Sequence, residues 1–495
     1  MKKQTGLLLF LLPLAAAAQT HLDVASDRLS LRHSLSAAVF ENPAHQPVRF
    51  DRSFSSIAVG YDYNEADSHY VVQTGKGERF AEFDASSYIR MGHNSCAWGE
   101  ARYRNGAQTD VKWNENADYD RLFPYVTADT LGGNLNYESY YFKGGYAIDR
   151  NRLSVGAQMA YSSSLHYRQT DPRPKDNATF INASLGIGYR LSGSYSLGAY
   201  TFAERYTQNQ SIEFLDPLGS VPVYHMTGLG MHYVRFAGTK TSAIYKGRTY
   251  RGGLTLKRLA TTGFDAALQI ENYQLQKQLP SLSNAPINDI SQNRYDIHLS
   301  WQMPRLLLGL NGSLSRRKGT ERIYDDGTTN WHEIASSSPY KYTTAQLQAS
   351  ALTTLTANRW EFELMPQAGF VTEEESYHPS RFQQLRKTSL RLTAGLRYRT
   401  GRHLLSAQGE GGWLHCLSAT QRIDNPDSFT FTNQMLRQNF ENLSADLASA
   451  RLYLQHNIQL RRISASVFWR IGYVFASTFG NYTLHGANVS VGLTI

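Results

Sequence analysis

Apolar residues recur at every second position, in segments of about ten to fourteen residues, from about residue 53 to residue 495. Within 463–475, Ile463, Ala465, Val467, Trp469, Ile471, Tyr473 and Phe475 share one face, while Ser464, Ser466, Arg470 and Gly472 take the other. Within 295–303, Tyr295, Ile297, Leu299, Trp301 and Met303 alternate with Asp296, His298, Ser300 and Gln302. The stretch 390–399 repeats the pattern, with Leu390, Leu392, Ala394, Leu396 and Tyr398 against Arg391, Thr393, Gly395, Arg397 and Arg399. Successive side chains of a strand point to opposite faces, so each segment predicts a strand with one face for lipid and one for water.

The connections alternate between short and long. Short ones fall near Gly92–His93, Asp149–Arg150, Ser192–Gly193, Thr261–Thr262, Pro304–Arg305, Ala357–Asn358, Gly401–Arg402 and Arg461–Arg462. Pairing the segments around the long loops gives strands near 54–64 and 79–91, 94–105 and 135–148, 152–166 and 178–191, 194–207 and 248–259, and 263–276 and 290–303. The series continues with 306–318 and 341–356, 358–373 and 385–400, 403–420 and 443–461, and 463–479 and 485–495. The expected fold is an all-β transmembrane antiparallel barrel of about eighteen strands, with sixteen and then fourteen as the next counts. Its tight turns face the periplasm and its long loops the outside, as in bacterial outer-membrane barrels. A soluble sandwich does not repeat strands this long over more than four hundred residues in one domain. The least defined stretches are the first hairpin and 208–247, where 229–236 could extend a hairpin.

Residues 1–18 read as a cleaved signal peptide, with Lys2 and Lys3, an apolar run from Leu7 to Ala18, and small residues at Ala16–Ala17–Ala18. Residues 19–52 are expected to form a short plug or hatch, and 53–495 the barrel. Ser34 to Phe40 predicts one or two helical turns stopped at Asn42–Pro43. About thirty residues are far fewer than the plug domain of a TonB-dependent transporter, which argues against active metal-chelate uptake. The last strand alternates through Ala487, Val489, Val491, Leu493 and the terminal Ile495. Many outer-membrane barrels end on such a strand, which implies insertion by the barrel-assembly machinery.

The mean hydropathy of −0.44 is far too polar for a bundle of membrane helices and suits a barrel with a wet interior. The 31 Tyr, 22 Phe and 7 Trp fit aromatic girdles at the two lipid interfaces. The formal charge of +9 falls to +7 without Lys2 and Lys3. Basic residues are scattered singly or gather at the short turns, where they can reach lipid phosphates. Outer-membrane lipid is therefore an expected partner and nucleic acid is not.

Cys96 lies about three residues from its short turn and Cys416 about fourteen from its own. At ~3.3 Å per residue they differ by roughly 25–30 Å in height. A disulfide needs Cα atoms within about 7 Å, so two free thiols are expected. The 15 His are spread singly, and GxSxG, HExxH and paired-Cys spacings do not occur. His403 and His415 share a strand twelve residues apart, and His225 and His232 lie in the longest loop with Tyr224 and Tyr233. No enzyme activity, cofactor or metal is expected.

By register, Asp265, Glu271, Asp296, Glu361, Glu363 and Glu410 point into the lumen, as do Arg251, Lys257, Arg391, Arg397, Arg399, Arg451 and Arg470. Opposed charges there either set a transverse field across an open eyelet or form cross-strand ion pairs in a plugged interior. Between the third and fourth strands, Pro124 and Gly132–Gly133 shape a tight loop, and Asp129 can accept from its N–H groups. Glu138 follows on the face of Tyr140 and Phe142. The loop either folds into the mouth as a constriction or packs on itself outside.

Two resemblances add to this. The run from Ser36 to Ala44, ending in Asn42–Pro43–Ala44, resembles the N-terminal hatch motif of the outer-membrane long-chain fatty-acid transporter family. Over its nine residues it implies a hatch in the lumen and a hydrophobic cargo. The stretch Phe123 to Gly133, with Glu138, Tyr140, Phe142 and Gly144–Ala147, resembles a family of outer-membrane barrels of unknown function from Gram-negative bacteria. The expected function is passive transport or binding of an unidentified small molecule across the outer membrane. The alternative is a non-conducting barrel that serves as a scaffold, adhesion or partner-binding protein through its loops, above all 106–134 and 208–247.

Overall fold

The computed structural model describes residues 21–92, 94–216, 218–238, 241–325, 332–423, 431–461 and 463–495. The signal-peptide reading, the cleavage point before Gln19 and the turn residues His93 and Arg462 lie outside these.

Eighteen antiparallel strands form one sheet closed on itself. They are β1 (Phe54–Ala66), β2 (Gly77–Met91), β3 (Ser95–Val111), β4 (Gly133–Arg150), β5 (Leu153–Tyr167) and β6 (Arg173–Arg190). Next come β7 (Tyr195–Glu213), β8 (Thr241–Arg258), β9 (Gly263–Leu279), β10 (Ala285–Gln302), β11 (Leu306–Tyr324) and β12 (Glu333–Ala357). The ring ends with β13 (Trp360–Tyr377), β14 (Arg381–Thr400), β15 (His403–Arg422), β16 (Leu447–Gln459), β17 (Ser466–Ser477) and β18 (Thr483–Thr494). Closure is made by β1 against β18, from Ser56 opposite Thr494 to Ala66 opposite Leu484. Every ladder is thereby paired, the condition for strands to cross a hydrocarbon layer.

The expected count of eighteen holds, and so does the alternation. Tyr295, Ile297, Leu299 and Trp301 are exposed on the outside, while His298, Ser300 and Gln302 are buried inside. Aromatic pairs stud the outer face near the short turns, with Phe264 stacked on Trp301 at 5.2 Å and Trp360 against Tyr398 at 4.2 Å. Residues 229–236 do not extend a barrel hairpin. Met231–His232 pairs instead with Tyr224–Gly228 inside the loop.

A ring of eighteen strands is too wide for its own side chains to fill. Two other parts of the chain occupy the interior. Toward the short turns lies the N-terminal segment, with α1 (His21–Leu29), α2 (Leu31–Leu35) and two 3-10 turns, Ala37–Glu41 and Pro43–Val48. The helical content is greater than the one or two turns expected over 34–40, because Leu22, Val24, Ala25, Leu31 and Leu35 find apolar inner-wall partners. Val24 packs with Phe54, Tyr88 and the buried Cys96. Cys416 is a half-exposed free thiol.

Toward the long loops, the 112–132 loop turns inward. It carries α3 (Tyr119–Leu122), and its strand Thr127–Ala128 pairs with Tyr224–Gly228. Leu122, Tyr125 and Val126 join Met226 and Leu229 in one apolar cluster with Tyr206, Tyr245 and Tyr273 of the wall. Met435 and Leu436 close it from α4 (Phe431–Ser444).

Leu35 is 5% exposed against Leu307, Leu352 and Met365. Leu35→Ala is expected to weaken docking of the N-terminal segment by about 2–5 kcal/mol. Protease cleavage within residues 21–50 should rise while the strands stay resistant. Unchanged cleavage would show that this contact does not hold the segment.

Candidate functional site

The N-terminal segment is seated on the inner wall around Asn42. Asn42 is fully buried. Its Nδ2 donates to Ile187 O at 3.0 Å, Thr255 Oγ1 at 3.3 Å and Ala199 O at 3.4 Å, and its Oδ1 accepts from Ala44 N at 3.0 Å. Pro43 opens the second 3-10 turn, where its missing N–H costs nothing. The pair sits in a recess cut by glycines. A Cβ on Gly156 would come within 2.4 Å of the Pro43 carbonyl, one on Gly186 within 2.0 Å of Asn42 Oδ1, and one on Gly198 within 2.4 Å of Asn42 Nδ2. Gly156 lies opposite Gly186, and Gly188 opposite Gly198, so the notch crosses three neighbouring strands.

Next to Asn42, the His45 ring is hydrogen-bonded to Thr255 Oγ1 at 2.8 Å. Burial, with help from the nearby Lys257 ammonium, lowers its pKa to about 4. His33, stacked on Phe50 at 4.8 Å, is lowered to about 4, chiefly by burial and then by Arg49.

The lumen charges are joined in pairs, and several hold the segment. Arg397 bonds Glu361 at 2.8 Å and Glu363 at 3.0 Å. Glu363 in turn accepts from Ser30 Oγ at 2.7 Å and Leu31 N at 3.0 Å, at the start of α2. Arg251 bonds Glu271 at 2.7 Å and lies 3.7 Å from Glu41 of the segment. Lys257 bonds Asp265 at 3.0 Å, and Asp296 takes Arg294 at 2.9 Å. Glu410 lies between Arg391 at 3.6 Å and Arg451 at 3.8 Å. Arg470 donates to Gln455 at 2.8 Å. Arg399 stands at the short-turn rim, its N–H on Arg359 O. Most of these charges are paired across neighbouring strands, while Arg294 and Asp296 pair along one strand.

Chambers remain between these elements. One of about 440 Å³ lies beneath the inward loops, lined by Trp113, Tyr119, Phe123, Arg294, Arg317 and Glu375. A second, of about 420 Å³, reaches the segment at Glu41 and shares Arg294 with the first. A third, of about 410 Å³, lies over Arg28 of α1, between Asp62, Asp84, Arg102 and Arg470. Each is large enough for a small ligand.

With this geometry in hand, comparison with known proteins places the chain. The family of unknown function DUF6850 matches residues 43–495. The chain belongs to the DUF6850 family. No curated protein matches its sequence. Solved structures similar to it include BauA, the ferric preacinetobactin receptor from Acinetobacter baumannii, at 8% identity and a TM-score of 0.40, over 90% of this chain and 80% of that one. The siderophore receptor PiuA from the same organism aligns at 8% identity and 0.42, over 90% and 82%. The FrpB iron transporter from Neisseria meningitidis aligns at 10% identity and 0.42, over 91% and 82%.

The DUF6850 span also contains the long-loop plug. Asp129 Oδ1 accepts from Leu131 N at 2.6 Å and Gly132 N at 2.8 Å. Gly132 and Gly133 have φ of +64° and +138°, and a Cβ on Gly132 would strike Val111 O at 2.3 Å. Pro124 lines the chamber beneath. Glu138 is not part of this mouth. It stands on the outer face with Tyr140 and Phe142, taking Asn105 Nδ2 at 3.3 Å, because the strand register there turns it outward. Sequence reasoning missed the buried pair beside Asp129. Arg168 Nη1 donates to both Glu115 oxygens at 2.9 Å, with Asp129 Oδ2 at 4.0 Å. Burial, and then the adjoining Asp129 carboxyl, pushes Glu115 well above the usual carboxylate range. Only long-range contact joins Glu115 to Arg168, so no spacing announces it. The glycine notch did have a signal: inward-facing glycines at one height on three consecutive strands.

The histidines are dispersed. His225 is buried within the loops, and His232 packs on Tyr224 at 4.8 Å. His403 meets His456 at 3.0 Å on the outer face, and His415 meets Asp446 at 2.9 Å.

Arg168→Met leaves two buried carboxyl groups without their cation and is expected to destabilise the long-loop plug by about 3–5 kcal/mol. Proteolysis of the 112–132 loop should reveal this, with Arg168→Met/Glu115→Leu recovering most of the loss. A singly substituted plug as resistant as the wild type would refute the assignment. Since His45 and His33 titrate lower in the folded state than free, docking is fully stable above about pH 6.5 and weakens as pH falls toward about 4. Hydrogen exchange of residues 21–50 should accelerate across that window and should not do so in His33→Gln/His45→Gln.

Proposed function

We propose that this protein is an outer-membrane barrel that holds a small amphipathic molecule between its two plugs and passes it when the N-terminal segment shifts. In this orientation the short turns and the N-terminal segment face the periplasm, and the inward loops face outside. The observation that carries the reading is the pair of chambers that share Arg294 in their linings. Their lining combines aromatic faces with both signs of charge, which suits a molecule with an apolar body and ionic or hydrogen-bonding groups. A plain hydrocarbon would strip water from those charges and offer them nothing in return. Passage is passive and gated by docking.

A second reading has its own support. Leu215, Leu218 and Val234, on the loop between β7 and β8, are 71%, 98% and 80% exposed. Such a tip suits a protein partner, with the barrel as its scaffold.

Planar-bilayer recording separates the two. The wild type is expected to be mostly closed at neutral pH, and Asn42→Ala to raise the open fraction about tenfold, the loss of buried hydrogen bonds costing about 1–3 kcal/mol. Arg294→Ala should weaken any ligand retained through purification. A barrel still closed after removal of residues 21–50 would end the transport reading.

A further inference from the structure

On the outer wall, just beyond the apolar belt toward the long loops, the register sets like charges side by side. Arg205 on β7 is directly opposite Arg248 on β8, and Lys318 on β11 is directly opposite Lys341 on β12. Lys246, one outward position beyond Arg248, and Arg316, one before Lys318, extend the two patches. All six side chains are exposed. None of the six makes a side-chain hydrogen bond or ion pair with any described residue.

Directly below them the wall turns apolar. Tyr250 and Leu254 follow Arg248 down β8, Leu310 lies below Arg316 on β11, and Leu347 lies below Lys341 on β12; all four are exposed. Like charges directly opposite in a ladder repel, and no described carboxylate lies within ion-pair distance of any of the six. Charges cannot sit within the hydrocarbon, so the two patches mark its outer boundary. Four strand spacings of about 4.8 Å separate the pairs, roughly 20 Å, with neutral Asn272 and Asn293 between them. Such a patch fits a partner with phosphates at the height of the cations and acyl chains against the belt below. A soluble polyanion has no use for the belt.

We propose that Arg205/Arg248 and Lys318/Lys341 are two binding sites for the phosphate groups of a diphosphorylated, acylated glycolipid of the outer leaflet, of the lipid A type. The inference rests on the orientation given under Proposed function but not on the chambers, which face the other side of the wall. Loss of conductance or cargo binding therefore leaves it standing.

The test uses the full-length protein in detergent, titrated with diphosphorylated lipid A, its fully dephosphorylated form, phosphatidylcholine or inorganic phosphate. Bound lipid is counted by native mass spectrometry and stability read as Tm. The wild type should bind diphosphorylated lipid A saturably. Arg205→Ser/Arg248→Ser and Lys318→Ser/Lys341→Ser should each lose about thirtyfold in affinity at one site, while Arg205→Lys/Arg248→Lys should keep it. The Tm order should also cross. Without lipid each serine variant should melt at or above the wild type, since repulsion is gone, and with lipid A it should melt below. Equal binding by the serine variants would overturn the proposal. So would equal binding of the dephosphorylated lipid, or saturation by inorganic phosphate at the same affinity.

Discussion

The constraint on which this molecule depends is that a strand in a membrane must have all its backbone groups paired within the protein. Pairing β1 with β18 meets it. Closing eighteen strands, however, encloses a space that inward side chains cannot fill. The remaining features answer that second problem. The N-terminal segment fills one end, the loops after β3 and β7 with α4 fill the other, and paired charges lie between. The inner wall is therefore two surfaces in one, a lining for chambers at mid-height and a docking face at each end.

The balance between the two ends differs in kind. At the long-loop end, Leu122, Tyr125, Met226 and Tyr245 make a continuous apolar core, with the Glu115–Arg168 pair set beside it. That is the packing of a small folded domain. At the short-turn end the segment touches the wall through separate small contacts: the Asn42 notch, the Glu363 cap on α2, Leu35, and Leu22 against Leu404. Each is modest, and together they are spread over β5–β7, β11–β13 and β15. An element held this way detaches more readily than a domain core, which is why the movable part is assigned there.

The barrel was legible because its chemistry is periodic. Tyr295 to Gln302 reads as a strand from residue type alone, since lipid on one side and water on the other fix every position. The strand count and inward charges followed from the same period. The plugs were not legible, because their partners are fixed by three-dimensional proximity. Glu361 and Arg397 could be placed at one height, yet nothing in their spacing says that Glu363 caps the helix at Leu31. Glu138 failed for the opposite reason: the loop before it is irregular, and the period of β4 resumes in time to turn it outward. α4 carries no strand period, because Met435 and Leu436 are placed by the plug cluster.

The glycine notch has a further consequence, for the order of assembly. Its walls come from β5, β6 and β7, while other anchors of the same segment lie on β13 and β15. Residues 21–50 leave the ribosome before any of these strands, yet no site for them exists until the ring has curled round. A part made before the strands is thus placed after them. During that interval its apolar side chains, Leu22, Val24, Leu31 and Leu35, lack the inner-wall partners that bury them in the finished barrel.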